Sequence, residues 1–303
     1  MIVYGCQLNI AWEDKPANFA CVRSMLRRRR ISPKSLIVLP ELFATGFTMN
    51  AADIAEPMNG PTAEFLRELA AERRSWVLGG FARQAGQNVY NEAVCIAPSG
   101  EILGRYAKLH PFSPGGESDH YSAGHNLTIF PCGNLKVAVF ICYDLRFPEV
   151  FRAAVAQGAE AIVVIANWPD QRHSHWTALL RARAIENQAY VIGVNRCGCD
   201  PKLDYAGGSV VFDPNGREVV LAGSRESIVS ANLDPKIPSQ WRNDFPVLKD
   251  IRPDFLRIAT GRGGSQRRSR PQGSSAPVRS GSPSRANVSS RRATSHNGSP
   301  PRH

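Results

Sequence analysis

No run of apolar residues in this chain approaches the roughly 20 that a membrane-spanning helix needs. The longest, Lys136 to Cys142 and Ala161 to Ala166, have the length of strands. A basic leader with a cleavage site is also missing. Met1 to Leu8 runs directly into a strand-like pattern, and the expectation is an unexported, cytoplasmic chain. The seven cysteines (Cys6, Cys21, Cys95, Cys132, Cys142, Cys197 and Cys199) are odd in number and irregularly spaced, which argues against a disulfide framework. Cys197 and Cys199 stand too close for a zinc knuckle and no His or Cys pair completes one, so no metal is expected. No repeat of solenoid length is found.

Acids are missing from one region. Gly261 to His303 holds nine arginines and no Asp or Glu. The net charge of +11 rests on 37 basic against 26 acidic residues; without those nine arginines 28 basic residues remain, and the body carries only about +2. The tail is Ser, Arg, Pro and Gly with almost no large apolar residue, and such a segment buries too little surface to offset its ordering entropy. We expect residues 1–258 to form one domain and 259–303 to be a disordered basic tail. Counterion release would give the tail salt-dependent affinity for polyanions. Without interleaved aromatics, that is nonspecific nucleic-acid attachment at most.

The rest of the chain has the means to fold: 43% of all residues are hydrophobic, an ordinary globular share. Strand patterns at Ile2–Leu8, Leu36–Leu39, 76–82, 89–97, 102–108, 135–141, 161–166, 189–195 and 209–212 alternate with helix patterns at 17–30, 61–74, 148–157 and 174–187. Pro61 suits a helix start, and Pro98-Ser99-Gly100 joins two strands as a hairpin. The pattern predicts an α/β domain with mixed sheets and helices on the outer faces.

Three strand ends carry chemistry-bearing residues. In Val137-Ala-Val-Phe-Ile-Cys-Tyr-Asp-Leu-Arg-Phe-Pro-Glu149, a buried strand ends at Cys142 and a helix begins near Pro148. A strand cysteine is commonly a small core residue. On a strand-to-helix turn, nearby N–H groups would instead lower its thiol pKa and stabilise adjacent negative charge. Glu41 ends the strand in Leu36-Ile-Val-Leu-Pro-Glu-Leu-Phe43, at the sheet edge where α/β proteins bind ligands. Alone it reads as a loop glutamate; its apolar flanks suggest burial, which would raise its pKa and suit proton exchange. Lys108, in Gly104-Arg-Tyr-Ala-Lys-Leu-His110, stands where another strand gives way to a loop. One such lysine is usually solvated. An acid, an amine and a thiol on three strand ends are harder to assign to the surface. His110 lacks a partner at ligand spacing and reads as a packed histidine, Asp144 and Arg146 as a structural ion pair, and Arg27 to Arg30 as a solvated helix end.

The order Glu…Lys…Cys, with L-P-E at 41, Y-x-K-x-H at 106–110 and C-Y-D-x-R-F-P-E at 142–149, resembles the nitrilase (carbon–nitrogen hydrolase) superfamily. Ala166-Asn-Trp-Pro169, His175-Trp176 and Arg181 to Tyr190 agree with it. The resemblance spans about Ile2 to Phe255 and is nearest to the omega-amidase branch, which hydrolyses the terminal amide of 2-oxoglutaramate and similar 2-oxo-acid amides. It implies a four-layer α-β-β-α sandwich that dimerises or forms a higher homo-oligomer, with no metal or organic cofactor. It further implies Cys142 as nucleophile, Glu41 as general base and acid, Lys108 with the Tyr143 backbone N–H on the oxyanion, and Glu117 supporting Lys108. A substrate carboxylate calls for a cation. Arg172 is the first candidate, Trp168 a pocket wall or a core residue, and Tyr121 and His175 further possible contacts. Another branch, such as an N-carbamoyl amide hydrolase or a metabolite-repair amidase, would use the same triad.

Overall fold

The computed structural model describes residues 1–252; the basic tail lies outside them. In chain order the elements are β1 (Ile2–Gln7), α1 (Lys15–Arg27), β2 (Leu36–Val38), α2 (Ala51–Ile54), α3 (Pro61–Arg73), β3 (Trp76–Ala85), β4 (Asn88–Ile96), β5 (Ile102–Ala107), β6 (Ile129–Cys132) and β7 (Leu135–Ile141). There follow α4 (Pro148–Ala156), β8 (Ala161–Ala166), α5 (His173–Asn187), β9 (Tyr190–Asn195), β10 (Cys197–Cys199), β11 (Asp204–Ala206), β12 (Val210–Phe212), β13 (Glu218–Leu221), β14 (Ser227–Asn232) and α6 (Lys236–Asp244). The strands form two six-stranded sheets, ordered β14-β1-β2-β3-β4-β5 and β13-β12-β9-β8-β7-β6, and β10 and β11 pair separately.

Period-two alternation decides which side chains meet. Val3, Leu36, Val38, Leu78 and Ala93 join a cluster with Phe140, Val163 and Ile165 of the other sheet. Their sequence neighbours Ile37, Leu39, Val77 and Val94 face the other way, onto Val22 and Leu26 of α1 and Leu66 and Leu69 of α3. Phe151 of α4 and Trp176, Leu180 and Ala184 of α5 cover the second sheet. The layers are therefore helix, sheet, sheet, helix, the α-β-β-α sandwich of the nitrilase type. Among the described residues no helix is long and apolar enough to cross a membrane.

Strand direction matters most for the site. β1, β2 and β3 run parallel, and two antiparallel steps through β4 bring β5 back to the direction of β2. In the second sheet β7, β8 and β9 are parallel. Residues just past β2 and β5 thus share one rim of the first sheet, and residues just past β7 and β8 share one rim of the second.

β6, the β10–β11 hairpin, β13, β14, α2 and α6 lie outside the sequence expectation. β13 shows why: its exposed edge strand places Val219 and Leu221 in solvent, 48% and 46% accessible, so no buried face stamps a pattern on it.

Candidate active site

Glu41, Lys108 and Glu117 are at most 1% exposed. A buried charge survives only when paired and hydrogen-bonded, and these three form one network. The Lys108 ammonium donates to Glu41 Oε1 at 2.9 Å and to Glu117 Oε2 at 2.8 Å. The Asn91 amide, on β4, donates to Glu41 Oε1 at 2.7 Å and to Glu117 Oε1 at 2.8 Å, a second bridge between the acids. The Phe112 N–H adds a third donor to Glu117, at 2.6 Å to Oε2. Glu41 Oε2 accepts from the Asn167 N–H at 2.7 Å, while the Asn167 amide donates to the Glu41 carbonyl at 2.7 Å. Asn167 sits one residue past β8, so this pair ties the rims of the two sheets together.

Cys142 follows β7 directly and has φ of +46°, a left-handed conformation that costs a non-glycine residue roughly 1–2 kcal/mol. Asp144 holds the turn. This fully buried carboxylate accepts from the Ile141 N–H at 3.1 Å, the Tyr106 hydroxyl at 2.8 Å and the His110 N–H at 3.0 Å. It therefore fastens the cysteine's turn to the segment that carries Lys108. Asp144 also meets the His110 ring nitrogen at 2.8 Å, so the expected ion pair with Arg146 is not formed. The Arg146 guanidinium lies 4.7 Å over the Trp168 ring instead. Leu42, next to Glu41, is the second left-handed residue of the site, with φ of +42°.

Burial pushes the Cys142 thiol well above its ordinary pKa, Glu41 pushes it further, and Lys108 offsets them only in part. This corrects the expectation of a thiol acidified by its turn. Burial and the neighbouring Glu41 and Glu117 all disfavour a free thiolate there. Burial works against the Lys108 charge too, but Glu117, Glu41 and Cys142 outweigh it and hold that pKa well above an ordinary lysine. Glu117 is pushed up by burial, with Lys108 pulling back. The thiolate is thus disfavoured at Cys142, next to the Glu41 carboxyl and the Lys108 amine.

A cavity of about 40 Å³ opens onto these groups, room for a few small-ligand atoms. Lys108, Cys142, Tyr143 and Asn167 line its reactive side; Phe47, Phe112, Trp168 and Pro169 supply apolar wall; Arg146, Arg172, Leu203 and Tyr205 complete it. Trp168 is fixed at both ends, its N–H donating to Asn195 Oδ1 at 2.7 Å and its indole N–H to the Arg172 carbonyl at 2.7 Å. Tyr121 does not line the cavity: it is buried beside Leu42 and Ile54, and its hydroxyl donates to the Thr48 carbonyl at 2.9 Å. His175 is exposed, 3.5 Å from the Arg146 guanidinium, and does not line the cavity either. Among the described residues no cluster of His, Cys, Asp or Glu is placed to hold a metal, and all seven cysteines are free.

The sequence reading missed Asn91, Asn167, Leu203 and Tyr205. Asn91 left a usable trace, a polar residue in the middle of the strand pattern Val89 to Ala97, and Asn167 another, at the end of a wholly apolar strand. Leu203 and Tyr205, on a short hairpin, left none.

Residues 5–243 match the family described as carbon-nitrogen hydrolase. The chain is 36% identical over 222 residues to a 2-oxoglutaramate amidase of Bacillus subtilis, covering 73% of this chain and 86% of that protein. It is 36% identical over 249 residues to the omega-amidase YafV of Yersinia enterocolitica, covering 80% and 94%. A solved CN-hydrolase superfamily protein from Xanthomonas campestris, with an arsenic adduct in its active site, superposes with a TM-score of 0.79 at 32% identity over 83% of this chain and 97% of that one.

Proposed function

The chain belongs to the carbon–nitrogen hydrolase family and is an amide-cleaving enzyme, and on that premise we propose that it hydrolyses the terminal amide of a small 2-oxo acid through a thioester on Cys142. The observation that carries this reading is a single cavity bordered by both Cys142 and Lys108, with Glu41 bonded to that lysine at 2.9 Å.

As the Cys142 sulfur attacks the amide carbon, Glu41 takes the thiol proton, so no free thiolate need exist in a site hostile to one. Negative charge moves to the carbonyl oxygen, where the Lys108 ammonium and the Tyr143 N–H are the candidate donors. Glu41 then delivers its proton to the departing nitrogen, ammonia leaves, and a thioester remains. Water, deprotonated by Glu41, attacks the thioester carbon; the carboxylic acid departs and the thiol regains its proton. Glu117 and Asn91 keep Lys108 and Glu41 aimed throughout.

Two facts support a carboxylate on the substrate. Arg146 and Arg172 both border the cavity, and neither forms an ion pair with a carboxylate among the described residues. The relatives named for 2-oxoglutaramate and omega-amide hydrolysis point the same way.

The test is ammonia release from 2-oxoglutaramate, glutaramate and N-carbamoyl amino acids by wild type and Cys142→Ser, with mass spectrometry for an acyl adduct on Cys142. The expected result is preference for 2-oxoglutaramate, an adduct on that sulfur and loss of turnover in the variant. Preference for the N-carbamoyl compounds would overturn the substrate assignment. A Cys142→Ser protein as active as wild type would overturn the thiol mechanism.

A further inference from the structure

The β10–β11 hairpin belongs to neither large sheet, yet its Leu203 and Tyr205 border the cavity that holds Cys142. Its construction is stiff. At the root, the Cys197 N–H donates to the Leu8 carbonyl at 2.8 Å. The fully buried Arg196 guanidinium donates to the Cys199 carbonyl at 2.7 Å and to the Ile10 carbonyl at 3.2 Å. That guanidinium also lies 4.3 Å from the centre of the Tyr205 ring, a cation beneath an aromatic face. At the tip, Asp200 Oδ1 accepts from the N–H groups of Lys202 and Leu203, both at 2.7 Å, and Oδ2 accepts from the Tyr205 hydroxyl at 2.5 Å. The Asp200 N–H donates in turn to the Leu203 carbonyl at 2.9 Å. One carboxylate thus fixes both residues that the hairpin presents to the cavity.

Of the other walls, Trp168 and Pro169 stand just past β8 and the Phe112 N–H is bonded to Glu117, so resizing them would disturb the reacting groups. Leu203 is half-buried, apolar and carried on an outlying hairpin. We propose that this hairpin is a gauge for acyl-chain length, with Leu203 the specificity-determining side chain whose bulk sets how long an ω-amide the cavity accepts. The proposal rests on the amidase reading above and adds to it the element that selects among homologous substrates.

The experiment measures kcat/KM for the monoamides of four-, five- and six-carbon dicarboxylic acids on wild type, Leu203→Ala and Leu203→Phe, with Lys202→Ala, an exposed neighbour on the same tip, as control. A misfit methylene in a pocket changes kcat/KM by roughly tenfold or more. Leu203→Ala is therefore expected to raise the six-to-five-carbon ratio by about tenfold, and Leu203→Phe to shift preference toward four carbons. Lys202→Ala should keep the wild-type ratios. Active Leu203 variants with wild-type ratios would overturn the gauge while leaving the amidase reading intact. A wild-type enzyme that cleaves none of the three monoamides and no 2-oxo analogue would overturn the amidase reading, and the gauge with it.

Discussion

Asn91 offers the sharpest test of how the site is held together. Its amide nitrogen is the only neutral side chain that touches both buried acids among the described residues, at 2.7 and 2.8 Å. Asn91→Leu keeps the side-chain volume and deletes both donors. A hydrogen bond to a charged group is worth about 1.5–3 kcal/mol net, so two amount to about 3–6 kcal/mol. Burying the leucine returns about 2 kcal/mol of that. The expected cost is about 1–4 kcal/mol, which for a domain of this size lowers Tm by about 2–16 °C. Glu41 would keep its bonds to Lys108 and to the Asn167 N–H but lose one constraint on Oε1. A displacement near 1 Å of a reacting group can cost about 100-fold, so kcat should fall by about 10- to 100-fold. Asn91 does not border the substrate cavity, and KM should change less than threefold. Steady-state kinetics and thermal unfolding on the purified variant measure all three quantities. An Asn91→Leu enzyme with kcat within twofold of wild type and an unchanged Tm would refute the claim that this bridge positions the acids.

Gly80→Ala should damage the same site from behind, because a Cβ there would lie 3.1 Å from both Glu41 Cα and Leu42 N. Gly5→Ala is as crowded but meets only Val194 and Val229, at 2.9 and 3.0 Å. Each should cost about 1–3 kcal/mol of stability, and only Gly80→Ala should also lower kcat, by about tenfold. Equal kcat values for the two variants would sink the argument. Alkali gives an independent check. Burial pushes the Cys6 and Cys132 thiols up to about 12, so the native fold keeps protons that the unfolded chain releases near an ordinary thiol pKa of about 8.5. Their contribution is complete below that value and is lost as pH rises toward 12. The unfolding free energy should therefore drop from pH about 9 upward, by about 1.4 kcal/mol per pH unit for each thiol, and the urea midpoint with it. A midpoint flat between pH 9 and 11 would contradict it.

Much of the fold was legible because burial stamps a period on the chain. Strands packed on both faces, such as 36–39 and 161–166, read as continuous apolar runs, and the helices at 61–74 and 148–157 announced themselves with proline at the start. Edge elements such as β13 and β14 left no such mark. The three chemistry-bearing side chains were legible for a related reason: Glu41, Lys108 and Cys142 each interrupt or terminate an apolar strand, where a polar group needs an explanation. The acidity of the thiol was misjudged, since local reasoning counted the N–H groups of the turn and could not count its burial or the two acids that the fold brings beside it.

The sequence alone determined which segments are buried and which chemical groups stand at their ends, because period and composition are local properties. Tertiary structure alone decided that Asn91 and Asn167 lock the acids in place, that Asp144 serves His110 and Tyr106 rather than Arg146, and that a small hairpin walls the cavity. Those are contacts between residues tens to more than a hundred positions apart, and their energies depend on distance and burial, which no local pattern encodes.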